Sequence, residues 1–163
     1  MTPHESIIRE APSLALDMQL CFALYSAQLA MGKVYRHYLA DLGLTYPQYL
    51  VMLVLWESDG ISVTALGERL FLDSATLTPL LKRLQVLGLV RRDRAQEDQR
   101  QVRITLTPAG LALQDRAHDI PRGVLCATGC NPGQTRVLKA ALEDLRAHLR
   151  GALLSPQDQA ARA

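Results

Sequence analysis

Residues 73–88, which read DSATLTPLLKRLQVLG, decide the fold of this chain. Asp73 and Ser74 are favoured helix-capping residues, and the apolar residues that follow recur at three- and four-residue spacing. This pattern predicts an amphipathic helix over about Ala75–Leu87 that ends at Gly88. Its apolar face consists of Leu77, Leu80, Leu81, Leu84 and Leu87. Its polar face carries Ser74, Thr76, Thr78, Lys82 and Arg83.

A second, shorter helix is predicted directly before this one. Asp59-Gly60 indicates a turn, and Ser62 can cap a helix over Val63–Leu70. Two short helices joined by a tight turn are typical of a helix-turn-helix unit. In such a unit the polar face of the second helix meets DNA. Hydroxyls at its start reach bases and backbone, and cations further along neutralise phosphates.

The stretch after Gly88 changes its period and predicts a β-hairpin. Residues 89–92 and 102–106 have the pattern of strands, and the segment between them is polar. From Arg91 to Arg103 there are five arginines and three acidic residues, so the hairpin is locally basic. We expect Arg94 and Arg100 to contact DNA, although a solvated strand pair with surface ion pairs would have a similar charge pattern. The fold class is therefore mainly α with a small β-hairpin, an α+β arrangement.

Longer helices are predicted on both sides of this unit. The pattern from about Leu14 to Leu42 is rich in Leu and Ala and apolar on more than one face, which indicates several packing partners. Thr45, Pro47 and Gln48 favour a new helix start, and that helix runs to about Glu57. Beyond the hairpin, Thr107-Pro108 opens a helix to about Pro121, and residues 134–154 form a last one.

Composition bounds the class of protein. The 163 residues, 48% of them hydrophobic, are enough for one domain with its own core. The net charge of +2 is too small to indicate nucleic-acid binding by itself. We find no secretory signal and no uninterrupted apolar run of membrane-spanning length, so a cytoplasmic protein without a membrane partner is expected. The four histidines are scattered, and the sequence predicts neither a metal site nor a cofactor.

The hairpin segment resembles the wing of the MarR family of winged-helix regulators. Residues 93–100 (DRAQEDQR), with a strand on either side and LTPAG at 106–110, carry this resemblance, which extends over about residues 14–150. It implies a single MarR-type domain over 1–163, with dimerisation helices at 14–42 and 108–154 and a winged helix-turn-helix at 45–107. It also implies that Arg100 enters the DNA minor groove and that Asp98 supports the wing.

Two further segments resemble the organic hydroperoxide sensors of that family, the OhrR proteins. These are residues 19–25 (QLCFALY) and 42–50 (LGLTYPQYL). The resemblance implies that Cys21 is oxidised by organic hydroperoxides and that Tyr35 and Tyr46 hydrogen-bond to its thiolate. It also implies that Cys126 is the resolving cysteine of a disulfide between subunits, as in the two-cysteine subclass. The residues alone do not decide between Cys126 and Cys130, since both flank Ala-Thr-Gly, but the position in the family favours Cys126 and leaves Cys130 dispensable.

Helix geometry adds a constraint on this thiol site. Tyr35 follows Cys21 by fourteen residues, which is about 21 Å along a straight helix. If both residues belong to one site, Tyr35 must come from an antiparallel copy of the helix in a second subunit. The site therefore demands a homodimer, and a two-fold dimer would present two recognition helices to a palindromic operator.

The sequence predicts a redox-sensing transcriptional repressor that leaves its operator when organic hydroperoxide oxidises Cys21. Cys21 could instead be a buried small hydrophobe in a Leu-rich helix, and Tyr25 could be either a core residue or a site residue. A MarR-type regulator released by a small aromatic ligand is one alternative function. A thiol peroxidase using Cys21 and Cys126 is another, but the basic wing would have no task in an enzyme.

Overall fold

The computed structural model describes residues 14–94 and 102–154 of the chain. The described helices are α1 (Leu20–Leu39), α2 (Tyr46–Glu57), α3 (Val63–Leu70), α4 (Ser74–Val86), α5 (Pro108–Ala117), α6 (Ile120–Ala127) and α7 (Pro132–Leu154). The described strands are β1 (Ile61–Ser62), β2 (Val90–Arg94) and β3 (Val102–Leu106). The chain divides between Pro121 and Arg122 into two compact units. The first contains the helix-turn-helix and the sheet, and the second contains most of α6 and all of α7.

The first predicted helix is shorter at its start than the sequence indicated. A 3-10 turn covers Leu16–Met18, and α1 itself begins at Leu20. At the other end α1 passes into a 3-10 turn over Ala40–Leu42, which Gly43 ends in the left-handed conformation with φ of 65°. The cap predicted for α2 is present, because the backbone N–H of Thr45 donates to the Gln48 side-chain oxygen at 2.8 Å.

The predicted helix-turn-helix is confirmed, together with the two caps that define it. The Ser62 hydroxyl accepts from the Ala65 N–H at 3.1 Å at the start of α3. The Asp73 carboxylate accepts from the Thr76 N–H at 2.7 Å at the start of α4. Three leucines of the predicted inner face of α4 are fully buried, namely Leu77, Leu81 and Leu84. Because the apolar face of α4 is buried, its polar face points to the outside.

The hairpin belongs to a three-stranded antiparallel sheet with the order β1-β3-β2. The wing strands pair from Val90 opposite Leu106 to Arg94 opposite Val102. On the other side of β3, Ile61 pairs with Ile104. The sequence did not predict β1, because a strand of two residues is too short to have a readable period. It joins the wing to the turn that precedes α3.

The helix after the wing also differs from the prediction. Instead of one helix to about Pro121, α5 ends at Ala117 and α6 starts at Ile120. The reason is Pro121, which has no N–H to donate to the carbonyl of Ala117 four residues earlier. After Gly129, with φ of 68°, α7 begins at Pro132, two residues before the predicted start.

The core of the first unit brings α2, α3, α4 and the sheet together. Its fully buried side chains include Tyr49, Met52, Leu55, Leu66 and Ile104. By contrast, Leu39 is the only buried residue of α1. In the described parts of the chain no single helix is long and apolar enough to span a bilayer. In the same parts of the chain, one pair of helices is long and apolar enough when taken together. This pair consists of α1 with its 3-10 continuation and of α2, and it is bent by 66°.

Candidate thiol site and DNA-binding surface

Cys21 is the second residue of α1, and it is exposed in the single chain. The sequence also places Cys21 near the start of this helix, although the predicted helix begins earlier, at about Leu14. The exposure also excludes a buried small hydrophobe in the protomer, which was the structural alternative for this cysteine.

The structure brings the two predicted thiolate-stabilising residues together. The rings of Tyr35 on α1 and Tyr46 at the start of α2 lie with centroids 4.2 Å apart. Burial, the neighbouring Tyr46 and Tyr49, and a hydrogen bond to Tyr46 raise the pKa of Tyr35 to about 12. Burial raises the pKa of Tyr46, and its hydrogen bond with Tyr35 opposes that change. Both hydroxyls therefore keep their protons at neutral pH. In the single chain Tyr35 donates its proton to Tyr46, so Tyr46 can donate to a further atom directly and Tyr35 can do so only after turning away from Tyr46. We call these two residues the tyrosine pair.

Two other tyrosines near this pair have different environments. Tyr49 is 2% exposed, and its ring centroid is 6.0 Å from that of Tyr35. It is therefore a core residue that supports the tyrosine pair from behind. Tyr25 is 59% exposed on α1, so it is not a core residue of the protomer.

Within one chain, the structure does not place Cys21 beside the tyrosine pair. Both Cys21 and Tyr35 lie on the uninterrupted helix α1, fourteen residues apart, which separates them by about 21 Å along its axis. Cys21 thus lies at the start of α1, whereas Tyr35 lies near its end and Tyr46 on the next helix. A site that contains all three needs a second subunit.

The two downstream cysteines differ in exposure and in contacts. Cys126 is exposed near the end of α6. Cys130 is half-buried in the turn before α7, where its thiol donates to the Thr128 carbonyl at 3.7 Å and its N–H donates to the Thr128 hydroxyl at 3.2 Å. Cys126 is therefore the more accessible thiol of the two.

The outer face of α4 carries the predicted DNA-contacting residues. Ser74, Thr76, Lys82 and Arg83 are exposed. The Thr78 hydroxyl donates to the Ser74 carbonyl at 2.7 Å, which leaves its oxygen as an acceptor. Hydroxyls at the first turns and cations further along the helix occupy one polar surface. This arrangement suits a helix that enters the DNA major groove by its N-terminal end.

The base of the wing is held by two side-chain hydrogen bonds to distant backbone groups. The Arg103 guanidinium donates to the Gly60 carbonyl at 3.1 Å, and the Asp59 carboxylate accepts from the Leu106 N–H at 2.8 Å. Arg103 therefore braces the wing. Arg94 is the last residue of β2. The predicted contacts of Arg100 and Asp98 lie outside the described residues.

A cleft of about 490 Å³ opens beside the tyrosine pair, between α1 and the start of α2. Its lining includes Tyr25, Lys33, Arg36, Leu44 and Tyr46. The described residues contain no cluster of three or more His, Cys, Asp or Glu side chains that could hold a metal ion. The aromatic, apolar and cationic side chains of its lining make the cleft a candidate site for a small organic molecule.

The family of the chain is shown by comparison with known proteins. The model of the transcriptional regulators SarA/Rot matches residues 33–116, which include the whole winged helix-turn-helix region 45–107. The chain belongs to the SarA/Rot family. It is thus a transcriptional regulator, and the predicted relationship to MarR-type winged-helix regulators and organic hydroperoxide sensors is confirmed.

Individual members show how far this similarity extends. The chain is 47% identical to the HTH-type transcriptional regulator TtmR of Methylorubrum extorquens (strain PA1), over 99% of this chain and 84% of the relative. It is 45% identical to the organic hydroperoxide resistance transcriptional regulator of Bacillus subtilis (strain 168), over 81% of this chain and 90% of the relative.

The solved structures of AbfR from Staphylococcus epidermidis are also similar to this chain. Reduced AbfR bound to DNA matches with a TM-score of 0.72 and 36% identity, over 86% of this chain and 96% of AbfR. Disulfide-formed AbfR matches with a TM-score of 0.59 and 36% identity, over 87% of this chain and 96% of AbfR.

Proposed function

We propose that this SarA/Rot family member is a homodimeric repressor in the cytoplasm that binds a palindromic operator when reduced and leaves it when an organic hydroperoxide oxidises Cys21. The tyrosine pair carries the proposal. Two protonated hydroxyls beside each other, with ring centroids 4.2 Å apart, form a donor site suited to a thiolate. The similarity to an organic hydroperoxide resistance regulator supports the same conclusion.

The exposed apolar residues of α1 and α7 support the homodimer. On α1, Leu20 and Met31 are 63% and 37% exposed, and on α7 Val137 and Leu138 are 73% and 54% exposed. Such side chains are stabilised by burial against a second copy. An antiparallel pairing of two α1 helices would bring Cys21 of each subunit to the tyrosine pair of the other, which overcomes the separation within one chain.

The proposed oxidation proceeds in two balanced steps. The Cys21 thiolate attacks one peroxide oxygen, an S–O bond forms, the O–O bond breaks, and the alcohol leaves after taking up a proton. The resulting sulfenic acid then reacts with the Cys126 thiol of the partner subunit, forming the disulfide and releasing water. Cys126 suits this second step better than Cys130, because it is exposed and its thiol is not bonded to its own turn.

Release from DNA follows from geometry in this proposal. The disulfide draws together the helices that carry Cys21 and Cys126 and changes the separation of the two α4 helices. Binding to a palindrome requires both recognition helices to fit half-sites about one helical turn apart. A displacement of a few ångströms therefore prevents one of the two recognition helices from fitting its half-site.

Operator binding by the wild type and by Cys21→Ser, before and after an organic hydroperoxide, tests the sensor. The operator can be recovered by selection of random duplexes with the reduced protein. Wild type should bind and then dissociate on oxidation, whereas Cys21→Ser should stay bound. Dissociation of the serine variant by hydroperoxide would show that another residue is the sensor.

Non-reducing electrophoresis tests the resolving cysteine. Oxidised wild type and Cys130→Ser should both give a cross-linked dimer, and Cys126→Ser should not. A persistent dimer band in Cys126→Ser would assign the resolving role to Cys130 instead.

The cleft beside Tyr46 supports a second candidate, a regulator released by a small aromatic ligand. Its lining of aromatic, apolar and cationic side chains fits such a molecule. Under this alternative the ligand would release Cys21→Ser and wild type from the operator equally, without any oxidant. Multiple turnovers of hydroperoxide with a thiol reductant would instead favour the peroxidase alternative.

A further inference from the structure

The cleft beside Tyr46 has a cationic wall. Lys33 and Arg36 are three residues apart on α1, so they lie on the same face of the helix, and both line the cleft. Within residues 14–94 and 102–154, neither side chain makes an ion pair and no acidic residue lines the cleft. The two positive charges are thus available to an anionic ligand.

The remaining lining of the cleft is largely apolar. Leu29, Leu44 and Pro47 contribute to it, and Gly32 lies between the apolar and cationic positions of α1. Apart from the flanking residues and the nearby backbone of α1 itself, no atom lies within 4 Å of the place where a Cβ of Gly32 would be, so the cleft has free volume there. A molecule with an alkyl or aromatic body and one anionic end fits both parts of this lining.

The cleft shares a residue with the proposed thiol site. Tyr46 lines the cleft and also belongs to the tyrosine pair. In the antiparallel dimer of the proposed function, on which this inference rests, Cys21 of the partner subunit lies beside that pair. A molecule held in the cleft is then next to the reactive sulfur.

We propose that Lys33 and Arg36 form an anion subsite that selects organic hydroperoxides bearing a carboxylate and directs their peroxide group to Cys21 of the partner subunit. The carboxylate is unchanged in the reaction. The sulfur is oxidised by two electrons, the O–O bond breaks, and the hydroperoxide leaves as the hydroxy acid after protonation of its alkoxide oxygen. The subsite therefore affects the rate for charged hydroperoxides and not the chemistry at sulfur.

The test compares a fatty-acid hydroperoxide with its own methyl ester, in which one added methyl group removes the negative charge. Both are used below their micelle-forming concentrations with the full-length reduced dimer, and loss of the Cys21 thiol is followed by quenched-flow mass spectrometry. In wild type the acid should react faster than the ester. In the double variant Lys33→Gln/Arg36→Gln the acid-to-ester rate ratio should fall about tenfold, at roughly two- to fivefold for each cation.

Arg69→Gln is the matched control. It removes one exposed cation from α3, where Arg69 is paired with Glu57, and should leave the rate ratio unchanged. Raising the ionic strength should slow oxidation of Cys21 by the acid and not by the ester, because only the acid is attracted by the two cations.

Each other outcome has a distinct meaning. An unchanged acid-to-ester ratio in the double variant overturns the anion subsite. Equal slowing of acid and ester also overturns it, because the cations would then act on the thiolate itself. If neither hydroperoxide oxidises Cys21 in wild type, the proposed sensor function fails, and the subsite proposal fails with it.

Discussion

Replacing the hydroxyls of the tyrosine pair should slow oxidation of Cys21 in a non-additive way. A hydrogen bond to a charged group contributes about 1.5–3 kcal/mol, so removing one lowers the thiolate population about 10- to 150-fold. The more basic thiolate is also more nucleophilic, with a Brønsted slope of about 0.4–0.5, which recovers about half of this loss on a logarithmic scale. Tyr35→Phe and Tyr46→Phe should therefore each slow oxidation about 3- to 12-fold at pH 7.

The double variant tests whether the two hydroxyls act as one unit. They are hydrogen-bonded to each other, with ring centroids 4.2 Å apart, so loss of one already disturbs the other. Tyr35→Phe/Tyr46→Phe should slow the reaction by little more than the stronger single variant. Independent hydroxyls would instead slow it by the product of the two effects, about 10- to 150-fold.

The assay is the rate of Cys21 oxidation by a neutral hydroperoxide in a Cys126→Ser/Cys130→Ser background, measured from pH 6 to 10. Tyr49→Phe is the control, because this buried ring packs behind the pair and should change the rate less than about twofold. The difference in oxidation rate between wild type and the single variants should become smaller as the pH approaches 10, where the thiols are ionised in all of them. The variants should then react faster than wild type, because their more basic thiolate is more nucleophilic. Multiplicative single effects, or an equal effect of Tyr49→Phe, would refute the assignment of the pair.

Three further predictions concern stability, each measured by urea denaturation. The pKa of Tyr35 is raised from 10.0 to about 12, so the unfolded chain loses this proton first. The free energy of unfolding should therefore fall from pH 10 to about 12, and this fall should be smaller in Tyr35→Phe. The Thr107 hydroxyl caps α5 by accepting from the Gly110 N–H at 3.0 Å. Thr107→Ala should cost about 1–2 kcal/mol, whereas Thr107→Ser should cost less than half as much. A Cβ on Gly110 would lie 2.0 Å from the Leu89 carbonyl oxygen. Gly110→Ala should thus destabilise by about 3 kcal/mol, while Gly151→Ala, which meets no atom within 4 Å, should not destabilise.

The helix-turn-helix could be predicted from the sequence because its determinants are local. The caps at Ser62 and Asp73 each join a side chain to a backbone N–H three residues later. The buried leucines of α4 recur at helical spacing along the same short segment. Interactions of this range are visible in residue order alone, since a helix brings neighbours in sequence together.

The wing illustrates what residue order does not reveal. Its two long strands were predicted from their alternating pattern, but the third strand depends on the pairing of Ile61 with Ile104. The brace between Arg103 and Gly60 likewise joins residues 43 positions apart. Such contacts follow from how the sheet packs on α3, so no spacing in the sequence indicates them.

For the thiol site, the sequence by itself determined the residue types, and it determined that Cys21 and Tyr35 are too far apart on one helix to meet. Only the tertiary structure decided where α1 begins, because a 3-10 turn interrupts an apolar pattern that continues further back. It also decided that Tyr35 and Tyr46 touch, since the turn at Gly43 bends the chain and brings the start of α2 beside the end of α1. The Lys33 and Arg36 cleft depends on the same packing. Helical periodicity is set by backbone hydrogen bonds within a few residues, whereas the approach of two helices is set by the side chains buried between them.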